Sequence, residues 1–172
     1  MAEVLLTLQT FIKNISPISD NISGKYILAS MREAQEVHLK NIIGEALLDK
    51  LKRLVSDKQI DAEGNAMYKS LIDKCQYFLA YTAIVELAYK VTYKIGNAGV
   101  VKSSDENMEV ASQDEIITQK EYYQGKADYF CMEIQNYILE HRSEYPEVDD
   151  NHCHRIHSNL YSAATCGIFL GG

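Results

Sequence analysis

Tryptophan is absent and proline occurs only twice, as Pro17 and Pro146. Without tryptophan, the aromatic surface falls to twelve tyrosines and four phenylalanines. Tyrosine has an apolar body and a wet tip, a combination that favours interfaces as well as the rim of a helical core. Each proline sits where a helical pattern stops, because the residue before a proline avoids the α region. Paired cysteines are also missing. Cys75, Cys131, Cys153 and Cys166 lie far apart with no C-x-x-C, so reduced thiols in a protein folded in a cytosol are expected. There is no excess of basic charge. A net charge of −7 and a pI near 5.2 disfavour general nucleic-acid affinity. The N-terminus lacks a basic n-region and its apolar run is cut by Gln9 and Lys13, so neither signal peptide nor membrane anchor is expected.

Catalytic signatures are missing as well. The sequence holds no G-x-S-x-G, Walker loop, dinucleotide fingerprint or H-E-x-x-H. A di-iron bundle needs Glu-x-x-His twice, but Glu36 is followed at i+3 by Leu39, Glu133 by Asn136 and Glu140 by Ser143. Asp61, Glu63 and Gly64 invite comparison with a calcium loop. Placing Gly64 at the invariant glycine puts Gln59 first and Ser70 twelfth, so two key ligands fail. His152, Cys153, His154 and His157 form the one metal-ligand cluster, but His154-x-x-His157 is a residue short of zinc spacing and has no second pair. The expectation is a protein that is not an enzyme and carries no cofactor and no metal.

What is present is helical periodicity. The chain is organised around a long apolar stretch from Ala66 to Ile95, whose centre, CQYFLAYTAIVELAY, holds Glu86 as its one charge. A helix apolar nearly all round must be covered on most sides, and thirty residues make a rod of about 45 Å. Asp73, Lys74 and five tyrosines in the run argue against a membrane span. Glu86 is expected to pair with a lysine or tyrosine rather than to catalyse. Upstream, Val4, Leu8, Phe11, Ile12 and Ile15 share a helical face that Pro17 ends. A helix from about Tyr26 to Ile43 has Ile27, Met31, Ala34, His38 or Leu39, and Ile42 on one side. Gly44 then marks a helix end or tight crossing before a helix from Glu45 to Val55, striped by Leu47, Leu48, Leu51 and Leu54. Downstream, residues 96–112 read as a long polar loop, and such loops tend to be functional or disordered. Ser112 and Glu115 form a capping box opening a helix to about Arg142. Tyr123, Ala127, Phe130, Ile134, Tyr137 and His141 form its seam against another helix. Gly125 allows close approach to the central rod or kinks the helix.

The fold expected is therefore all-α: an antiparallel bundle of about four main helices over residues 1–148, with one long polar loop and an extended C-terminal arm at 149–172. Charge is uneven. Residues 1–60 carry eight basic and seven acidic side chains, whereas residues 105–150 carry thirteen acidic and three basic. The arm ends on Ile168, Phe169 and Leu170 between glycines, a β-capable run suited to docking on another chain.

In their order, several motifs resemble the small head-to-tail connector proteins of tailed bacteriophages, of the type in Bacteroidetes and crAss-like phages. They are ISPISDNI (Ile15–Ile22), AQEVHLKNIIG (Ala34–Gly44), ALLDKL (Ala46–Leu51), KIGNAGVV (Lys94–Val101) and HRSEYPEV (His141–Val148). The resemblance implies an α-helical adaptor in the virion neck, assembled in the host cytoplasm as a homo-oligomeric ring, commonly a dodecamer. Its partners would be the portal protein and other neck or tail proteins. DNA would pass through without specific binding, and no membrane is involved. On this reading Ile168, Phe169, Leu170 and Tyr161 dock on a neighbouring subunit or portal. Val100, Val101, Asp105, Glu106 and Glu109 form a loop contact or part of the channel. The competing reading is a helical homo-oligomeric regulatory or protein-binding module of phage origin.

Overall fold

The computed structural model describes residues 4–16, 18, 22–96, 99–102 and 112–148. The helices are α1 (Gln9–Ile15), α2 (Gly24–Glu33), a π-helical segment (Ala34–Leu39), α3 (Lys40–Ile43), α4 (Glu45–Ser56), α5 (Ala66–Thr92) and α6 (Gln113–Glu140). A hairpin of β1 (Tyr93–Gly96) and β2 (Gly99–Lys102) lies between α5 and α6, and a short 3-10 turn (Arg142–Glu144) follows α6. The fold is all-α, with one two-stranded sheet among the described residues.

α5 is the post. α2 and the π segment pack along one side of it and α6 along another. Both neighbours run antiparallel to it. Glu33 lies beside Lys90 and His38 beside Glu86, while Tyr77 stacks with Phe130 and Tyr81 with Tyr123. Leu71, Cys75, Leu79 and Ala80 of α5 are fully buried, together with Leu47, Leu48 and Leu51 of α4 and Ile134 and Ile138 of α6. The leucine stripe of α4 is thus the stripe read from the sequence.

From α2 through α3 the rod is continuous, but its period changes. A regular helix carrying Ile27, Met31 and Ala34 inward would bring His38 inward next. The i→i+5 bonding of a π turn adds about one residue per turn. Leu39 takes the buried place instead, and His38 stays partly exposed. Gly44 ends the rod at φ 85° and ψ 158°, a conformation nearly closed to side chains, and α4 begins at once.

Three boundaries differ from expectation. Residues 4–8 are not helical, and Leu8 is 68% exposed. The buried Gln35 amide accepts a hydrogen bond from the Leu6 N–H and donates one to the Val4 carbonyl, tying this stretch to the π segment. The central helix stops at Thr92 rather than Ile95. From Val91 onward the chain is rich in β-branched and aromatic residues, which suit a pleated strand. β1 pairs antiparallel with β2 in the register Tyr93↔Lys102 to Gly96↔Gly99. The polar loop therefore contains a strand, and Val100 and Val101 are strand residues opposite Ile95 and Lys94. Gly125 lies inside one continuous helix and is not there for close packing on α5: a Cβ there would have nothing within 4 Å.

The capping box is present. The Ser112 hydroxyl accepts from the Glu115 N–H, and the Glu115 carboxylate accepts from the Ser112 N–H at 2.8 Å. The hydrogen bonds from Ser112 hold the Glu115 carboxyl below its usual range.

Candidate assembly surface

α6 carries two apolar seams. The inner one is the seam expected from the sequence. Ala127, Ile134 and Ile138 are buried, and Tyr123, Phe130 and Tyr137 pack against the core beside them. Aromatic rings join α1, α5 and α6: Phe11 meets Tyr77 edge-on at 5.2 Å, Tyr77 stacks on Phe130 at 5.0 Å, and Phe130 stacks on Tyr81 at 5.7 Å.

The outer seam is Tyr122, Gly125, Tyr129 and Met132, at spacings of three, four and three. Such spacing aligns residues along one face of a helix. Tyr122 and Tyr129 are each 58% exposed and Met132 43%. Ile117 and Tyr89 are exposed nearby, so α6 and the adjoining end of α5 hold most of the exposed large apolar side chains among the described residues. A helix with one buried stripe normally turns polar groups outward. Here the outward face is aromatic at its centre and acidic at its edges, where Glu121, Asp128 and Glu133 are exposed. The two lysines of α6 do not offset those acids freely. The Lys126 ammonium lies 4.5 Å from the centre of the Tyr122 ring and 5.2 Å from that of Tyr81. Lys120 lies over the Tyr89 ring at 4.5 Å and donates to its hydroxyl.

Glu86, the acid inside the central helix, belongs to an ion-paired row. It pairs with His38 Nε2 at 3.0 Å and lies 3.6 Å from Lys90, which donates to Glu33. The row joins α2 and the π segment to α5 and needs no catalytic role. Among the described residues no group of three or more His, Cys, Asp or Glu could hold a metal ion, and no helix is long and apolar enough to cross a membrane. A largely apolar open cleft of about 580 Å³ lies between α5 and α6, beside Ala88, Val91 and Ile116. One of its acids, Glu115, is already engaged by the cap.

Of the residues singled out from the sequence, Val100 and Val101 fall in β2. Asp105, Glu106, Glu109, Tyr161, Ile168, Phe169 and Leu170 lie outside the described residues, as does the His152, Cys153, His154 and His157 cluster. The sequence reading missed the outer seam, although its signal was present: the 3-4-3 spacing of Tyr122, Gly125, Tyr129 and Met132 runs beside the inner seam.

Burial raises the titration points of several groups in the bundle. Tyr68 is pushed up to about 12 by burial and by its hydrogen bond to Glu147. Tyr145 and Cys75 are raised by burial, and burial lifts Cys131 to about 11. In each case folding favours the neutral form. The resulting stability is complete below the unfolded titration points, about 8.5 for cysteine and 10 for tyrosine, and is lost as pH climbs through the raised folded values. The urea midpoint is therefore expected to hold level up to about pH 8.5 and to fall steeply above about pH 10. Denaturation series from pH 7 to 11.5 would check this, and a midpoint still level at pH 11 would refute it.

A family model described as "Family of unknown function (DUF6712)" matches residues 39–158. The match takes in α4, α5, the hairpin and all of α6, and the chain belongs to that family. No curated protein and no solved structure matches the chain.

Proposed function

We propose that this member of the DUF6712 family is a structural virion protein, one subunit of a closed homo-oligomeric ring at the head–tail neck of a tailed phage. The ring joins portal to tail and continues the DNA channel. The observation that carries the reading is the outer seam of α6. Two exposed tyrosines and a methionine stand in helical register on a bundle whose core is already complete without them. Large apolar side chains left exposed along one helix face support an interaction surface there. Contacts between unlike faces of identical subunits close into a ring when the rotation allows. The acidic surplus of residues 105–150 fits the same role, because a conduit for DNA should not bind phosphates through cationic walls. The connector-like motif order supplies the neck location and the twelve-fold count. Ile168, Phe169, Leu170 and Tyr161 serve as docking residues, and the stretch holding Val100, Val101, Asp105, Glu106 and Glu109 as a second contact or channel element.

The test is assembly with the portal protein of the same genome, read by native mass spectrometry and electron microscopy. A high-order ring of this chain on portal is expected. Tyr129→Glu with Met132→Glu should abolish the ring while the subunit stays folded with its helical spectrum retained and its thermal midpoint only slightly lowered. A dimer that ignores portal would overturn the reading in favour of a regulatory binding module.

A further inference from the structure

We propose that the outer seam of α6 seats residues 151–172 of a neighbouring copy. The inference deepens the ring reading and rests on it for the neighbour.

Gly125 is the first observation. A glycine in mid-helix lowers helix stability and is kept where its small size or positive φ is needed. Positive φ is not the reason, because Gly44 and Gly64 are the glycines with positive φ among the described residues. Packing within the subunit is not the reason either, since a Cβ at position 125 would meet nothing within 4 Å. Position 125 is open surface on the face that carries Tyr122 and Tyr129, beside an open cleft lined by Tyr89, Ile117, Glu121 and Asp128. A bare glycine on that face admits a backbone that lies close to the helix.

Charge names the occupant. α6 holds six acids and two lysines, and both lysines are turned onto tyrosine rings. A second α6 would set acid against acid, which disfavours a symmetric pairing of this face with itself. Residues 151–172 contain no acid at all. They carry Arg155 with His152, His154 and His157, followed by the apolar Leu160, Tyr161, Ile168, Phe169 and Leu170. A weakly basic lead and an apolar end complement an acid-edged apolar seam.

Reach allows a neighbour. Val148, the last described residue, is buried near the start of α5, where the Tyr145 hydroxyl bonds the Met67 carbonyl. Twenty further residues to Ile168 extend up to about 66 Å, whereas the seam from Met132 to Tyr122 spans about 15 Å. The segment is long enough to leave its own bundle and lie across the next.

The experiment replaces Tyr129 with the photo-reactive p-benzoylphenylalanine in the full chain, which is irradiated alone and on portal. The expected product has the mass of two chains, with the cross-linked peptide mapping to residues 158–172. A linkage to any other stretch, a linkage only within one chain, or a yield no higher than with the same group at the exposed Ser143 overturns the proposal. Gly125→Ala supplies an internal control with opposite signs. It should raise the thermal midpoint of the free chain by favouring the helix, yet cut the cross-linked fraction about tenfold by setting a methyl where the incoming backbone lies. An unchanged fraction overturns the close approach at Gly125. The two readings fail separately. Linkage to 158–172 in a protein that forms no ring on portal removes the ring and keeps the seat. A ring whose linkages fall elsewhere removes the seat and keeps the ring.

Discussion

Tyr145→Ala is expected to lower the stability of the bundle by about 3–5 kcal/mol, and Tyr145→Phe by about 1 kcal/mol. Tyr145 is the largest of the fully buried side chains. Its ring meets Tyr68 edge-on at 5.8 Å and lies 6.3 Å from Tyr137, so it touches α5 and α6 together. Its hydroxyl donates to the Met67 carbonyl at 2.9 Å, in the first turn of α5. The short 3-10 turn after α6 sends the chain back over the bundle's end, and Val148 is buried just beyond. Tyr68 reaches the same strap from the other side through its hydroxyl and Glu147. Alanine removes the ring and leaves a cavity under the strap. Phenylalanine keeps the ring and loses only the hydroxyl's bond to the Met67 carbonyl, which as a first-turn carbonyl keeps a helical donor. Urea denaturation of both variants would check the pair. A loss below about 1 kcal/mol for the alanine variant would mean the strap does not help hold α5 to α6.

The sequence places the end of the bundle at residue 148 and of the last helical pattern at Pro146. No period marks the strap around that proline, because its buried residues, Tyr145 and Val148, are too few to form one. Period is what made the rest legible. Leu47, Leu48, Leu51 and Leu54 repeat cleanly enough to fix the inward face of α4, and Ser112 with Glu115 fixed the start of α6. The end of α5 was less legible. Val91, Thr92, Tyr93 and Ile95 continue an apolar helical run and equally suit a strand, and tertiary context decides such short runs. α6 was legible in part. Its inner seam was read, but the outer seam has the same spacing, and only packing against α5 shows which of the two is covered. The arm at Ile168–Leu170 and the acids at 105, 106 and 109 lie outside the described residues, so the surface they would meet rests on α6.

Gln35→Ala should release the N-terminal strap and cost about 2–4 kcal/mol, since two backbone groups lose their partner and a long side chain leaves the core. Gln35 is 1% exposed, an unusual burial for an amide. It is buried on the π segment, next to Ala34 and one turn before Leu39, all three sheltered. Its Oε1 accepts from the Leu6 N–H at 2.8 Å, and its Nε2 donates to the Val4 carbonyl at 2.9 Å and to Glu36 at 2.9 Å. One amide thus satisfies two backbone groups, the Val4 carbonyl and the Leu6 N–H, of a stretch that is neither helix nor strand. Leu6, itself buried, is thereby held against the core. Hydrogen exchange gives the direct reading. The Leu6 amide should lose its protection in Gln35→Ala while the α5 amides keep theirs, because the strap opens locally before the bundle does. Gln35→Glu sharpens the test. A carboxylate still accepts from Leu6 but cannot donate to Val4, and it sets a second negative charge beside Glu36. That variant should therefore be weakest at neutral pH and recover as the pH falls and the new carboxyl takes up a proton, the opposite of ordinary acid destabilisation. Protection at Leu6 that survives both substitutions would show that the strap is held by something other than this amide.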